Sequence, residues 1–402
     1  MRILFFVHRF WPSPGGVEKY IHQLSRALIS LGNEVVVVAG ATTEGLPETD
    51  THEGVRIHRF PALRSPARCR WWLMRRRRLF AGADVIHVSN THMLEYYHQT
   101  VGFTLPGNSV FLTRHGMSYR CPVPESEIRR ARRSLRFAAG VVHDGLFIEK
   151  WLGVKPDLCP DQGLYPEADD LATGPEPPPT SAVYIGRLEP DSGIRIYVDA
   201  VRILTRELGR PFELHAYGGG SLLDALRDQT AREGLPVRFH GPTPHAQDRI
   251  VDSCFAFIDG RMAIQEAMAR RRLVLAAYVD PLKRDYVCGE RFSPYLIGAA
   301  DATELAERVV HYTDNPRDRA ELVERAFQHA RTLSWHRTAE EYLRFWHERL
   351  PYAQSARRAN RHRATMWDAT TWDATMWDRL SSRSCRRQGT ASRTGESAPR
   401  IL

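Results

Sequence analysis

The chain opens on a short apolar run, Arg2–Val7 (RILFFV), the pattern of a strand buried on both faces. Pro12, Pro14, Gly15 and Gly16 break it into a loop. Val17, Ile21, Leu24, Leu28 and Leu31 then recur at helical spacing, Gly32 and Asn33 supply a stop, and Glu34–Ala39 (EVVVVA) is the next buried strand. Strand, glycine loop, helix, strand predicts a βαβ unit, and with it a parallel sheet and a right-handed crossover. Further strands are expected at Val55–Phe60, Asp84–Ser89 and Ser109–Arg114. The same grammar restarts at strand Ala182–Ile185, followed by loop Gly186–Gly193 and a helix with Tyr197, Val201, Leu204 and Leu208 on one stripe. Strands Phe212–Tyr217, Val237–Phe239, Cys254–Ile258 and Leu273–Tyr278 complete the second half.

This pattern predicts an α/β chain of two Rossmann-like domains, 1–165 and 181–335. Between them, 166–180 is a proline-rich, acidic linker (PEADDLATGPEPPPT), and 336–350 is a closing helix built around Thr338–Arg349. Over 351–402 a T-x-W-D repeat of period five fits neither helix nor strand, so that stretch is expected to be a disordered basic tail.

At 402 residues the chain exceeds what one hydrophobic core usually serves, and 43% hydrophobic with 26% charged residues excludes wholesale disorder. Six scattered cysteines without a CxxC pair exclude a disulfide scaffold or a zinc module and point to a reducing compartment. Of the formal charge of +9, the tail carries ten arginines against four acids, +6, which leaves +3 for the first 350 residues. The charge therefore does not argue for a nucleic-acid-binding core, and no specific nucleic-acid partner is expected. No apolar run reaches the ~18 residues of a membrane span, and Met1–Val7 is too short for a signal peptide, so a cytoplasmic location is expected.

Six segments stand in a telling order: Trp11–Leu31 (WPSPGGVEKYIHQLSRALISL) with Gly32–Val35, Ile185–Leu188 (IGRL), Tyr217–Leu223 (YGGGSLL), Ile264–Ala269 (IQEAMA) and Ser334-Trp335. Together they resemble the retaining nucleotide-sugar glycosyltransferases of family 4, over roughly residues 1–350. The resemblance implies the GT-B fold, in which two Rossmann-like domains face a central cleft and a C-terminal helix packs back on the first domain. It implies transfer of a sugar from a UDP- or GDP-linked donor to a glycan or lipid-linked acceptor, in cell-surface polysaccharide or glycolipid synthesis. Beyond that donor no cofactor is expected, and no metal, because helix dipoles and cations can hold the diphosphate.

Gly15 and Gly16 sit where a strand hands over to a helix, so a donor phosphate or sugar can approach backbone there. Arg187, at the carboxyl edge of the first strand of the second half, offers a fork suited to a diphosphate and to the charge of the leaving group. The family usually adds a lysine five positions on, where this chain has Ser192; Arg195 or Lys283 is the expected substitute. By resemblance Glu266 takes the ribose hydroxyls, and the backbone N–H groups of Met262 and Ala263 hold the diphosphate at the start of that helix. The family's second glutamate falls on Ile258, so Asp259, one step on, is the candidate for the donor sugar. His115, ending the strand Ser109–Arg114, is expected to contact the transferred sugar, with a core histidine as the alternative. Gly218 and Gly219 belong either to a base or ribose subsite or to a purely structural turn.

Arg64–Arg78 (RSPARCRWWLMRRRR) carries seven arginines, no acid, and Trp71 and Trp72. It reads either as a surface for anionic lipid, giving peripheral attachment to the inner face of a membrane, or as a solvated helix face with its tryptophans tucked into the core. Two other functions fit the sequence: a nucleotide-sugar 2-epimerase on the same fold, and a degenerate, non-catalytic homologue that binds a partner or membrane.

Overall fold

The computed structural model describes residues 1–360 other than 14, 64, 106–108, 118, 119, 172–175 and 208. The first domain is built on strands β1 (Arg2–Val7), β2 (Glu34–Gly40), β3 (Thr49–His52), β4 (Val55–Phe60), β5 (Val85–Ser89), β6 (Val110–Arg114) and β7 (Gly140–His143). Its helices are α1 (Gly16–Ser30), α2 (Pro66–Arg75), α3 (Arg77–Ala81), α4 (Thr91–Thr100), α5 (Glu125–Ser134) and α6 (Phe147–Leu152). The sheet order is β3-β4-β2-β1-β5-β6-β7, parallel except for β3, which pairs antiparallel with β4. In register, Phe5 of β1 lies between Val37 and His87.

The second domain contains β8 (Ser181–Ile185), β9 (Glu213–Tyr217), β10 (Val237–Gly241), β11 (Phe255–Phe257), β12 (Leu273–Ala277) and β13 (Ile297–Ala299). Helices α7 (Ile194–Arg202), α8 (Leu223–Glu233), α9 (Arg261–Ala269), α10 (Pro281–Cys288), α11 (Ala302–Asp314) and α12 (Pro316–Ala330) cover it. Its order, β10-β9-β8-β11-β12-β13, is the doubly wound 3-2-1-4-5-6 arrangement, with the order reversing between β8 and β11. In the first sheet the reversal falls between β1 and β5. Crevices open at the carboxyl ends of such points because the two chain exits run to opposite faces of the sheet.

Helix α13 (Trp335–Asn360) leaves the second domain and packs along α1. Tyr342, Phe345 and Trp346 are buried in the core of the first sheet. A buried chain of polar contacts fixes the docking: the Trp346 indole N–H donates to His87 Nδ1 (3.2 Å), and the Tyr342 hydroxyl meets those of Thr113 and Tyr20, 3.0 Å each. The helix outlasts the expected closing segment 336–350 by ten residues, so the expected tail does not begin at 351. Ala353, Gln354, Ala356, Arg357 and Arg358 are good helix formers, and composition alone hid that continuity. The remainder, 361–402, lies outside the described residues, as does Leu208 of the α7 stripe.

Strands β3, β7 and β13 were invisible to hydrophobic patterning. The first reads TDTH with no apolar residue, and the others are only four and three residues long. The start of the expected linker is not free either: Leu164 and Ala168 are buried with Phe327, Ala330 and Leu333, and Glu176 pairs with the buried Arg319 at 2.8 Å.

Candidate active site

The loop after β8 is held from below. The Tyr184 hydroxyl donates to the Arg187 carbonyl (2.7 Å), and the Leu188 N–H donates to the carbonyl of Gly219 (2.9 Å). Gly218 has φ +141°, and a Cβ there would run into the Gly186 carbonyl, so this glycine turn exists to let two backbones touch. That contact is a structural reason for glycine at 218, whereas a Cβ on Gly219 would meet only Pro242, at 3.2 Å.

Arg187 projects from that loop, 62% exposed, with its Nη2 2.8 Å from Asp191 Oδ2. Lys283, buried in the first turn of α10, places its Nζ 3.4 Å from the same oxygen. Burial alone would raise the Asp191 carboxyl, but Arg187 and Lys283 outweigh it and hold the group below its usual range. Of the two expected substitutes for the missing lysine, Lys283 stands beside Arg187, whereas Arg195 is exposed on α7. Ser192 itself is buried and donates to the Glu189 carbonyl (2.8 Å).

Across the reversal point, Asp259 follows β11 and accepts from the Gly193 N–H (2.7 Å), tying β11 to the start of α7. Burial raises its carboxyl above the usual range, against the pull of that N–H and of Lys283. Ile258 is fully buried core. Helix α9 begins after Gly260, which has no side chain to offer as a cap; the Arg261 N–H donates to the Tyr286 hydroxyl (3.4 Å), and Met262 and Ala263 complete the first turn.

Glu266, one turn on, is buried and ion-paired with Lys19 of α1, so its partner comes from the other domain. Around this bond the domains close on each other. The buried Arg261 holds Glu290 at 2.9 Å, and Glu290 accepts from the Phe147 N–H of the first domain (3.2 Å). A Cβ on Gly145 would strike the Arg261 guanidinium, so glycine is what admits this cation to the seam. Burial opposes charging of Arg261, yet Glu290 and Asp144 raise its pKa above the usual value.

On the first-domain wall, Gly15 precedes α1, where a Cβ would meet the Glu18 carboxylate; Gly16 is open. Burial raises Glu18 above the ordinary carboxylate range. His115 follows β6 with its side chain only 2% exposed: Nδ1 lies 3.3 Å from Asp144 Oδ2, and the ring meets Tyr20 edge-on at 4.9 Å. Its Nε2 has no hydrogen-bond partner although buried. The histidine is thus neither an ordinary satisfied core residue nor open to solvent.

Arg187, Lys283 and Asp259 thus follow the carboxyl ends of β8, β12 and β11, while Glu266 of α9 meets Lys19 of the first domain, where His115 and Asp144 form a pair of their own. Sequence reasoning missed Lys19, Asp144, Arg261 and Glu290. For two of these a signal existed: Lys19 and Arg261 put cations in the first turns of helices, where the dipole disfavours positive charge by about 0.3–1 kcal/mol. Such a local rule break marks a residue serving something beyond its helix.

Residues 14–143 match the model of Glycosyltransferase Family 4. A GDP-mannose-dependent alpha-mannosyltransferase of Mycolicibacterium smegmatis is 30% identical over 122 residues, 28% of this chain. The match spans about a third (32%) of that relative's length. Among solved structures, a sucrose-phosphate synthase from Thermosynechococcus elongatus has a TM-score of 0.65 at 18% identity, covering 87% of this chain and 99% of its own. The Anabaena HepE protein in complex with UDP-glucose has 0.66 at 15%, covering 85% and 99%. At such identities these likenesses speak for the fold. The matched segment, about a third of the chain, lies within the first domain, and the two domains together have the GT-B fold of these solved glycosyltransferases.

Proposed function

We propose that the protein is a glycosyltransferase that moves a sugar, with retention, from a UDP- or GDP-linked donor to a glycan or lipid-linked acceptor. The observation that carries this reading is the pair of cations, Arg187 and Lys283, converging on one carboxylate oxygen at the reversal point of the second sheet. Asp191 offsets one of their two charges; a diphosphate offers more charge and more acceptor oxygens and takes both cations over. Both cations then stabilise the negative charge that grows on the leaving phosphate as the glycosidic bond breaks. The start of α9 adds backbone donors to the same anion. Glu266 receives the ribose hydroxyls once Lys19 lets go of it.

His115 addresses the sugar. Asp144 at Nδ1 favours the proton on that nitrogen, which leaves Nε2 as an acceptor for a sugar hydroxyl. Closure of the domain seam through Arg261 and Glu290 excludes water that would otherwise hydrolyse the donor. The mannosyltransferase relative supports GDP and the UDP-glucose complex of HepE supports UDP, so the base stays open between the two.

The test is a thermal-shift panel of UDP- and GDP-sugars. One class should raise the melting temperature of the native protein, and Glu266→Ala should abolish the rise without changing the far-UV spectrum. A panel that shifts nothing hands the chain to the non-catalytic reading, and formation of a 2-epimer without acceptor hands it to the epimerase.

Attachment to an anionic membrane through α2 is part of the proposal. Cys69, Trp72 and Leu73 are buried, but Trp71 is 59% exposed beside Arg75, and Phe103 is 58% exposed beside Arg70. A cavity of about 470 Å³ lined by Pro61, Arg68, Trp71 and Trp72 opens there. Arg64 lies outside the described residues, and no helix among them is long and apolar enough to cross a membrane. Flotation with phosphatidylglycerol vesicles should carry the protein upward, and Trp71→Ser should reduce it several-fold. Complete recovery in the soluble fraction defeats attachment.

A further inference from the structure

One turn on from Lys19, helix α1 brings His22 to the β3–β4 hairpin, where it meets His52 and Glu53. One ligand atom from each of the three lies within 4.8 Å of the others, and His22 Nε2 is 3.7 Å from Glu53 Oε2. The imidazoles are stacked at 4.9 Å and 28°, and Trp11 covers His52 at 3.8 Å. Phe10 meets His22 at 6.0 Å. His22 Nε2 is buried with no hydrogen-bond partner, a state few buried nitrogens keep without a reason. Glu53 reaches this position from a turn with φ +44°, a conformation that costs a non-glycine residue about 1 kcal/mol or more.

We infer that His22, His52 and Glu53 bind a divalent transition-metal ion of the zinc class, with water as the fourth ligand, clamping the β3–β4 hairpin to α1. Two imidazoles and a carboxylate suit zinc and its neighbours late in the Irving–Williams series, and are poor for magnesium or calcium. Tetrahedral zinc with bonds of about 2.0–2.1 Å sets its ligand atoms about 3.3 Å apart, so modest side-chain rotation closes the site. Glu53, 49% exposed, has room for that rotation. The competitor is Arg26, whose Nη1 sits 3.1 Å from Glu53 Oε2; the metal must outbid it for that oxygen. This site lies outside the donor crevice and does not depend on the transferase reading.

Calorimetric titration of the full chain with zinc chloride tests the inference against the His22→Ala/His52→Ala double variant. The native protein should bind one equivalent more than the variant, at micromolar affinity or tighter. Arg26→Ala should tighten that equivalent, and Glu53→Gln should weaken it about tenfold. Copper loaded into the native protein should show electron-spin coupling to two imidazole nitrogens. That signature stands on the native protein alone should the double variant misfold. Equal equivalents in native protein and folded variant, or a copper signal without two-nitrogen coupling, overturns the site.

Discussion

The two walls of the cleft are made differently. The second domain presents charge: Arg187 and Lys283 around Asp191, with Asp259 behind them, all at the ends of neighbouring parallel strands. The first domain presents Lys19, which reaches out, and the buried ring of His115, with further histidines sunk in its interior. His8, His87, His92 and His143 are held neutral, pushed down to about 4, 3, 3 and 3, by burial in each case. Charges that meet at strand ends keep their ionised forms because each finds a partner there, whereas imidazoles packed into a core are kept neutral by burial.

Acid separates the two domains most strongly. Each of these four histidines has a folded pKa below its unfolded value near 6.5. Between roughly pH 6.5 and 3–4 the unfolded chain therefore binds protons that the folded one refuses, and stability falls as pH drops. Each contributes up to about 1.4 kcal/mol per pH unit, with no effect above pH 7. Amide hydrogen exchange at pH 5 should show β1, β5 and β6 opening well before β8 and β11. Earlier opening of the second sheet would refute the contrast.

Next in size, Lys283→Met should weaken donor binding roughly tenfold, the value of one charge-assisted contact. Arg195→Met, at an exposed position of α7, should leave calorimetric affinity unchanged. Equal losses from both would show that the second wall acts by its general field and not by the paired cations. Smaller still, Lys19→Met removes the group that occupies Glu266 in the donor-free protein. Donor affinity should rise by about a factor of two to five, because binding no longer breaks an ion pair that is worth little at a partly exposed site. A loss of affinity would instead make Lys19 a donor contact.

The second-domain wall was the more legible in the sequence. Arg187 and Glu266 carry their signal in local motifs tied to strand ends, and Asp259 and Lys283 followed as substitutes once Ile258 and Ser192 were seen to break the pattern. On the first wall only His115 and the glycine loop were legible. Asp144 follows β7, a strand four residues long, and Lys19 gains meaning only when α9 arrives from 247 residues away. Gly145, Arg261 and Glu290 form one contact from three distant places, and no local pattern joins them.

The sequence by itself determined the two parallel sheets, because buried strands and amphipathic helices are local periodicities that each segment carries alone. It also determined where the glycine loops and the carboxyl edges of the sheets fall, since both follow from that order of elements. Only the tertiary structure decided which charges meet: Lys19 with Glu266, Arg187 and Lys283 on one oxygen, His22 with His52 and Glu53. Ion pairs and ligand sets depend on ångström separations between elements, and those separations are fixed by how α13 and the domain seam pack, which no single stretch of chain encodes.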